Sequence, residues 1–129
     1  KEFSMKHSDG FLKLVQSAKS RIKEISVDST LEKLNIGALV HFIDIREDHE
    51  WLKEHAESAI HLGKGIIERD IEQHVPNHQD EIILYCGGGY RSALAADALQ
   101  NMGYTNVFSM AGGFKAWVES GCPISLNKG

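Results

Sequence analysis

The chain has 129 residues, of which 42% are hydrophobic and 25% are charged, and its formal net charge is −4. This composition is typical of one globular domain with a real core, and a negative net charge without a basic tract argues against a nucleic acid or an anionic membrane as partner. No apolar run approaches the roughly twenty residues that span a bilayer.

The beginning of the chain and its two cysteines lead to expectations about domain bounds and location. Residues 1–8 place four residues before Met5 and lack the apolar core of a secretory signal. We therefore expect residues 1–8 to be a vector-derived remnant and a disordered start, and residues 9–129 to form one domain. A disulfide between Cys86 and Cys122 is not expected, because nothing marks the chain as secreted. A reducing, cytoplasmic location follows from this.

Helical and strand-like stretches alternate along the sequence. In chain order the predicted elements are a helix at 9–25, a helix at 30–34, a strand at 39–46, a helix at 50–56, an extended segment at 59–62, a helix at 66–75, a strand at 81–85, a helix at 91–102, a strand at 106–110 and a helix at 114–118. We expect Ser8 or Asp9 to cap the first helix and Ser29 or Thr30 to cap the second. This alternation indicates an α/β domain with a largely parallel sheet.

The predicted strand at 39–46 ends in charged residues, Asp44 and Arg46. In open parallel sheets, ligand sites lie at the carboxyl ends of the strands. These two side chains therefore either brace an active site at that edge or form a plain ion pair on the surface.

A glycine-rich turn, Cys86-Gly87-Gly88-Gly89-Tyr90-Arg91-Ser92, follows the predicted strand at 81–85 and opens into a helix. Three successive glycines allow several backbone N–H groups to turn toward one point, and the start of the helix adds partial positive charge there. A thiolate of Cys86 at this junction is stabilised and becomes a ready nucleophile. The alternative is a small, inert, buried cysteine beside a turn that permits close packing.

Four segments in order resemble the rhodanese family of cysteine-dependent sulfurtransferases, and the resemblance covers residues 25–123. Residues 42–47 are similar to the family's strand that ends in Asp-hydrophobic-Arg, and residues 50–62 to its Glu…Gly-His-Ile-x-Gly-Ala segment. Residues 86–92 are similar to the active loop, and residues 111–117 to the closing Gly-Gly-x-x-x-Trp helix.

The second of these segments departs from the family pattern. Glu54 stands where the family usually has a glycine before His55, Ala56 replaces an isoleucine, and Ser58 replaces the second glycine. These positions shape a turn away from the nucleophile, so the departures concern local geometry more than chemistry.

The resemblance implies a rhodanese-like fold, in which helices flank both faces of a central, mostly parallel five-stranded sheet, with an extra N-terminal helix. It also implies that Cys86 accepts the outer sulfur of thiosulfate or another small donor as a persulfide and passes it to cyanide, a thiol or a protein thiol. The substrate-binding residues would be Gly87, Gly88, Gly89, Tyr90, Arg91 and Ser92, supported by Asp44 and Arg46. No cofactor is expected, and the histidine spacing indicates no metal site.

Several individual roles stay open at this point. Arg91 either neutralises an anionic donor or pairs with a carboxylate at the sheet edge. Tyr90 either lines the entrance of the site or packs against a neighbouring helix. Cys122 is expected to be a packed turn residue, and a resolving thiol for Cys86 is the less favoured alternative.

Two other functions are compatible with a cysteine at the start of such a loop. Cysteine-dependent phosphatases, like arsenate reductases, hold a thiolate beneath amides, but their loop has one residue more than the four, Gly87 to Tyr90, that separate Cys86 from Arg91 here. The shorter loop suits a single sulfur better than a phosphoryl group with its equatorial oxygens. A non-catalytic binding module is the other alternative, and the presence of Cys86 argues against it.

Overall fold

The apolar runs of the sequence form the strands of the main sheet in a computed structural model that describes residues 7–126. In chain order the elements are α1 (Asp9–Lys19), β1 (Lys23–Ile25), α2 (Val27–Asn35), β2 (Val40–Asp44), α3 (Asp48–Lys53), β3 (Glu54–Ala56), β4 (Ile60–His61), α4 (Ile67–His74), β5 (Glu81–Tyr85), α5 (Tyr90–Asn101), β6 (Val107–Met110), α6 (Gly113–Glu119) and β7 (Ile124–Leu126). Residues 1–8 were expected to be a vector-derived remnant and a disordered start, and the first six of them lie outside the described range. Ser8 lies directly before α1 as its N-cap residue.

Five parallel strands form the main sheet in the order β1-β6-β5-β2-β4. Side chains alternate between the two faces of β5: Ile82 and Leu84 join the core that contains α4 and α5, whereas Ile83 joins the core that contains α2 and α6. Helix α1 packs against α5. The predicted α/β fold, with a mostly parallel five-stranded sheet and helices on both faces, is confirmed.

Three predicted helix bounds are wrong, because long-range pairing and local capping determine where these helices begin and end. The helix expected at 9–25 ends at Lys19, since residues 23–25 pair with β6 as β1. The helix expected at 30–34 extends over Val27–Asn35. The helix expected at 50–56 ends at Lys53, since its last residues form β3.

The cap of α2 also differs from the prediction. It is Ser26, whose hydroxyl accepts a hydrogen bond from the N–H of Ser29 at 3.0 Å. A serine at this position satisfies an N–H group that has no partner within the helix. Neither Ser29 nor Thr30, which the sequence suggested, is the N-cap residue.

A second sheet was not predicted. Strands β3 and β7 pair in antiparallel register, with Glu54 opposite Leu126 and Ala56 opposite Ile124. The two segments are 70 residues apart in the chain, so no local pattern could indicate their pairing. Within residues 7–126, no helix has the length and apolar character needed to cross a membrane.

Candidate active site

Cys86 directly follows the central strand β5 and lies at the edge formed by the carboxyl ends of the parallel strands. Its sulfur accepts hydrogen bonds from the N–H of Gly89 at 3.1 Å and from the N–H of Ser92 at 3.3 Å. Cys86 is only 1% exposed, yet it lines a cleft of about 1200 Å³. The amides that the glycine pattern predicts to converge on Cys86 are therefore present at two loop positions.

Two serine hydroxyls extend this arrangement behind the sulfur. The Cys86 thiol donates to Ser92 Oγ at 3.4 Å, and Ser92 Oγ lies 2.7 Å from Ser109 Oγ. Both serines are completely buried. Ser92 belongs to α5 and Ser109 to β6, so Cys86 contacts the Ser92 hydroxyl directly and is linked to the Ser109 hydroxyl only through it.

Helix α6 fixes the orientation of the loop from the opposite side. The N–H of Phe114 donates to the Cys86 carbonyl at 2.7 Å, and the N–H of Lys115 donates to the Gly87 carbonyl at 3.1 Å. A β-carbon at Gly113 would lie 2.5 Å from the Cys86 carbonyl oxygen, so only glycine permits this approach. Because the first carbonyls of the loop face α6, the N–H groups that follow are free to face the sulfur.

Arg91 pairs with a carboxylate, which is one of the two roles left open by the sequence. Its Nη1 lies 3.0 Å from Glu50 Oε1, and its Nη2 lies 3.3 Å from Oε2. The Glu50 hydrogen bond raises the pKa of Arg91. Burial alone would raise the pKa of Glu50, but hydrogen bonds from Arg91 and from the N–H of Glu47 lower it overall. Arg91 is therefore charged and already bound to an anion.

The walls of the cleft include residues of α1, α3 and α6. Tyr90 lines the cleft. Its ring centroid lies 6.2 Å from that of Phe11 of α1 and 4.7 Å from that of His7, which precedes this helix. Lys115 and Glu119 of α6 lie on the same cleft. Both roles considered for Tyr90, at the entrance and against a helix, are thus present together.

Comparison with known proteins places this geometry in a family. The family model described as Rhodanese-like domain matches residues 26–120. The chain belongs to the rhodanese family. A similar rhodanese-family relative from Escherichia coli, thiosulfate sulfurtransferase PspE, is 35% identical over 64% of this chain and 78% of its own length.

Two further similarities give the extent of the match. The putative sulfur carrier protein YrkF of Bacillus subtilis is 30% identical over 76% of this chain, and the chain spans about half, 52%, of that relative. A solved structure from Rhodopseudomonas palustris, described as a protein of unknown function and possible tyrosine phosphatase, has a TM-score of 0.79. It is 26% identical, and the match covers 96% of this chain and 100% of that one.

The rhodanese Asp-hydrophobic-Arg motif forms a buried network in this chain. Asp44 is 0% exposed and Arg46 5% exposed, and Arg46 Nη2 lies 2.9 Å from Asp44 Oδ2. The Tyr85 hydroxyl donates to Asp44 and accepts from the N–H of Ala56 at 3.0 Å, while Arg46 also donates to the Glu54 carbonyl at 2.7 Å.

The interpretation of Asp44 and Arg46 as a plain surface ion pair is wrong, because both side chains are buried. Their hydrogen bonds reach Tyr85, the residue before Cys86, rather than residues 87–92. Burial, and next the charge of Asp44, raise the pKa of Tyr85, so its hydroxyl keeps its proton. The network thus holds the end of β5 on which Cys86 depends.

Three residues at this rhodanese site were missed as functional candidates. Glu50 and Lys115 were noted only as parts of motifs, and Ser109 was read only as part of a strand. A small polar residue between Phe108 and Met110 is the signal that could have identified Ser109, since buried strand positions favour apolar side chains. Within the described range, no three His, Cys, Asp or Glu side chains form a group that could hold a metal ion.

Proposed function

We propose that this rhodanese domain is a sulfurtransferase that moves sulfane sulfur from a small donor such as thiosulfate to a thiophilic acceptor through a persulfide on Cys86. The observation that best supports this is the sulfur of Cys86, bonded to the amides of Gly89 and Ser92 beside an open cleft. The name of the Escherichia coli relative, a thiosulfate sulfurtransferase, supports the same reaction.

In the first step, the Cys86 thiolate attacks the outer sulfur of thiosulfate. A bond forms between Cys86 Sγ and that sulfur, the bond from the outer sulfur to the sulfonate breaks, and sulfite leaves with the bonding electrons. In the second step, cyanide or a thiolate acceptor attacks the outer sulfur and Cys86 leaves as a thiolate. Amide hydrogen bonds to Cys86 Sγ stabilise its anionic form, which is present before the first transfer and after the second.

The cleft is lined by three carboxylates, of Glu47, Glu50 and Glu119, and by two cations, Arg91 and Lys115, which differ in their partners. Arg91 is paired with Glu50, whereas no carboxylate within the described range lies within ion-pair distance of Lys115. Lys115 is exposed on the same cleft as Cys86. We therefore propose that Lys115 attracts the sulfonate end of a donor such as thiosulfate, with no cofactor involved.

The setting of the proposed reaction follows from its thiol chemistry. Both cysteines are free thiols, and the cycle requires a reduced Cys86, which a reducing compartment such as the cytoplasm maintains. We also propose that residues 9–129 act as one domain that includes α1, because Phe11 of α1 lines the cleft beside Cys86.

The main rival is a cysteine-dependent phosphatase, which the description of the Rhodopseudomonas palustris structure raises. Phosphoryl transfer needs cationic groups and donors around three equatorial oxygens. Here the loop arginine, Arg91, is bound to Glu50, and the described amide bonds converge on the sulfur itself. This geometry favours the transfer of a single sulfur.

Intact mass spectrometry of the protein after incubation with thiosulfate tests the proposal. We expect the mass of one added sulfur atom, its removal by cyanide with release of thiocyanate, and complete loss of the adduct in Cys86→Ser. The matched control, Cys122→Ser, should retain the adduct. An adduct that persists in Cys86→Ser, or hydrolysis of an aryl phosphate without any sulfur adduct, would overturn it. A binding module would show neither reaction.

A further inference from the structure

We propose that Ser109 is a positioning residue for Cys86 and that it acts through the hydroxyl of Ser92. The three side chains form a continuous hydrogen-bonded series, with 3.4 Å from Cys86 Sγ to Ser92 Oγ and 2.7 Å from Ser92 Oγ to Ser109 Oγ. The inference deepens the proposed function, on which it rests, because it concerns the same nucleophile.

The position of Ser109 calls for an explanation. It lies in β6 opposite Leu84 of the central strand and is 0% exposed, in a strand whose neighbours Val107 and Met110 are equally buried. A buried hydroxyl costs free energy unless it is hydrogen-bonded, so an apolar side chain would suit such a strand better. The described side-chain partner of Ser109 is Ser92, which shows where its hydroxyl is directed.

The series of hydroxyls can adopt two hydrogen-bond directions. With a neutral thiol, Cys86 donates to Ser92, and Ser92 donates to Ser109. With an anionic sulfur, Ser109 donates to Ser92, and Ser92 donates to Cys86 Sγ. Each hydroxyl keeps its own proton and only rotates, and the thiol proton of Cys86 passes to water in the open cleft that this residue lines.

The anionic arrangement is the one that matters for reactivity. The sulfur then accepts three hydrogen bonds, from the N–H of Gly89, the N–H of Ser92 and the Ser92 hydroxyl. Hydrogen bonds to a charged acceptor are stronger than neutral ones, and a hydroxyl that itself accepts a hydrogen bond becomes a better donor. Ser109 therefore orients and strengthens the Ser92 donor without touching the sulfur or the substrate.

Alkylation of Cys86 by iodoacetamide, followed at one pH by mass spectrometry, tests this without any sulfur donor. We expect the rate constant to fall roughly two- to tenfold in Ser109→Ala and at least as much in Ser92→Ala, as for the loss of one hydrogen bond. The double variant should react like Ser92→Ala alone, because Ser109 acts only through Ser92.

The conservative pair Ser109→Thr and Ser109→Val provides a matched control, since the two side chains have similar shapes and only threonine keeps the hydroxyl. We expect Ser109→Thr to alkylate faster than Ser109→Val. This comparison still tests the inference if Ser109→Ala proves too unstable to measure. The inference would be overturned if Ser109→Ala slowed alkylation as much in the Ser92→Ala protein as in the unaltered one. Equal alkylation rates for Ser109→Thr and Ser109→Val would also overturn it. If the serine variants slow alkylation as expected but thiosulfate adds no sulfur to the protein, the proposed function is wrong and the inference about Ser109 stands.

Discussion

Arg91 and Glu50 are joined by two hydrogen bonds of 3.0 and 3.3 Å. Glu50 belongs to α3, which follows β2, and Arg91 lies in the first turn of α5, which follows the neighbouring strand β5. Arg91 Nη2 also lies 3.0 Å from the point where a β-carbon of Gly87 would be. The pair therefore links the segments that follow two adjacent strands and holds an arginine against the start of the glycine-rich loop, residues 86–92.

The Arg91–Glu50 pair predicts a pH dependence of stability. The folded protein lowers the pKa of Glu50 below its ordinary value of 4.5, so the pair stabilises the fold fully above that value, and this contribution is lost as the pH falls through the lower, folded value. Glu50→Gln should cost up to about 1 kcal/mol at neutral pH, because the pair is partly exposed. It should also flatten the loss of stability in acid.

Denaturant unfolding at a series of pH values measures both effects. Glu119→Gln is a suitable control, since it removes an exposed carboxylate from the same cleft. We expect that variant to keep the acid dependence of the unaltered protein. A Glu50→Gln protein that loses stability in acid as steeply as the unaltered protein would show that the pair contributes nothing.

Gly113→Ala should disrupt the glycine-rich loop that begins at Cys86, whereas Gly121→Ala should only strain the backbone. Both glycines have a positive φ, of 58° and 74°, but a β-carbon at Gly113 would lie 2.5 Å from the Cys86 carbonyl oxygen, and one at Gly121 would meet nothing within 4 Å. We expect each variant to lose about 1–2 kcal/mol of unfolding free energy from the left-handed conformation. Gly113→Ala should lose further unfolding free energy through its clash with the Cys86 carbonyl. Only in this variant should the alkylation of Cys86 be slower.

Denaturant unfolding and iodoacetamide kinetics on the same two samples distinguish these effects. If Gly113→Ala alkylates as fast as Gly121→Ala, then the contact of α6 with Cys86 does not determine the loop geometry.

The sequence predicted those parts of the site that depend on neighbouring residues. Strand 81–85 and the turn after it were predicted because an apolar run, three glycines and a helix-forming stretch follow one another directly. The partners of that turn were not predicted, because they depend on which strands become neighbours. Ser109 contacts Ser92 because β6 pairs with β5. Glu50 contacts Arg91 because β2 pairs with β5 on its other side.

Tyr85→Phe should destabilise the protein more than Tyr104→Phe. Both hydroxyls are buried, but Tyr85 donates to the buried carboxylate of Asp44 and also accepts from the N–H of Ala56, whereas Tyr104 donates to the neutral carbonyl of Val75. Removal of a partner from a buried charge costs more than loss of a neutral bond, which contributes about 1 kcal/mol. We expect a loss of roughly 2–3 kcal/mol for Tyr85→Phe. Equal losses of unfolding free energy in the two variants would contradict a charged network at the end of β5.

Ser58→Gly should stabilise the protein, because Ser58 occupies a backbone conformation that favours glycine. It is the non-glycine residue with a positive φ, 78°, within the described range, and it stands where the rhodanese pattern has a glycine. Its side chain is exposed, so removal of the side chain costs little burial. Relief of the left-handed strain contributes about 1–2 kcal/mol, and the greater freedom of the unfolded chain offsets about 0.5–1 kcal/mol of it, so the unfolding free energy should rise by up to about 1 kcal/mol. The control is Ser120→Gly, an exposed serine with a φ of −84°, where glycine should instead cost about 0.5–1 kcal/mol through the greater freedom of the unfolded chain. Urea unfolding of both variants measures the difference, and a Ser58→Gly protein that loses as much stability as Ser120→Gly would show that the turn at this position carries no strain.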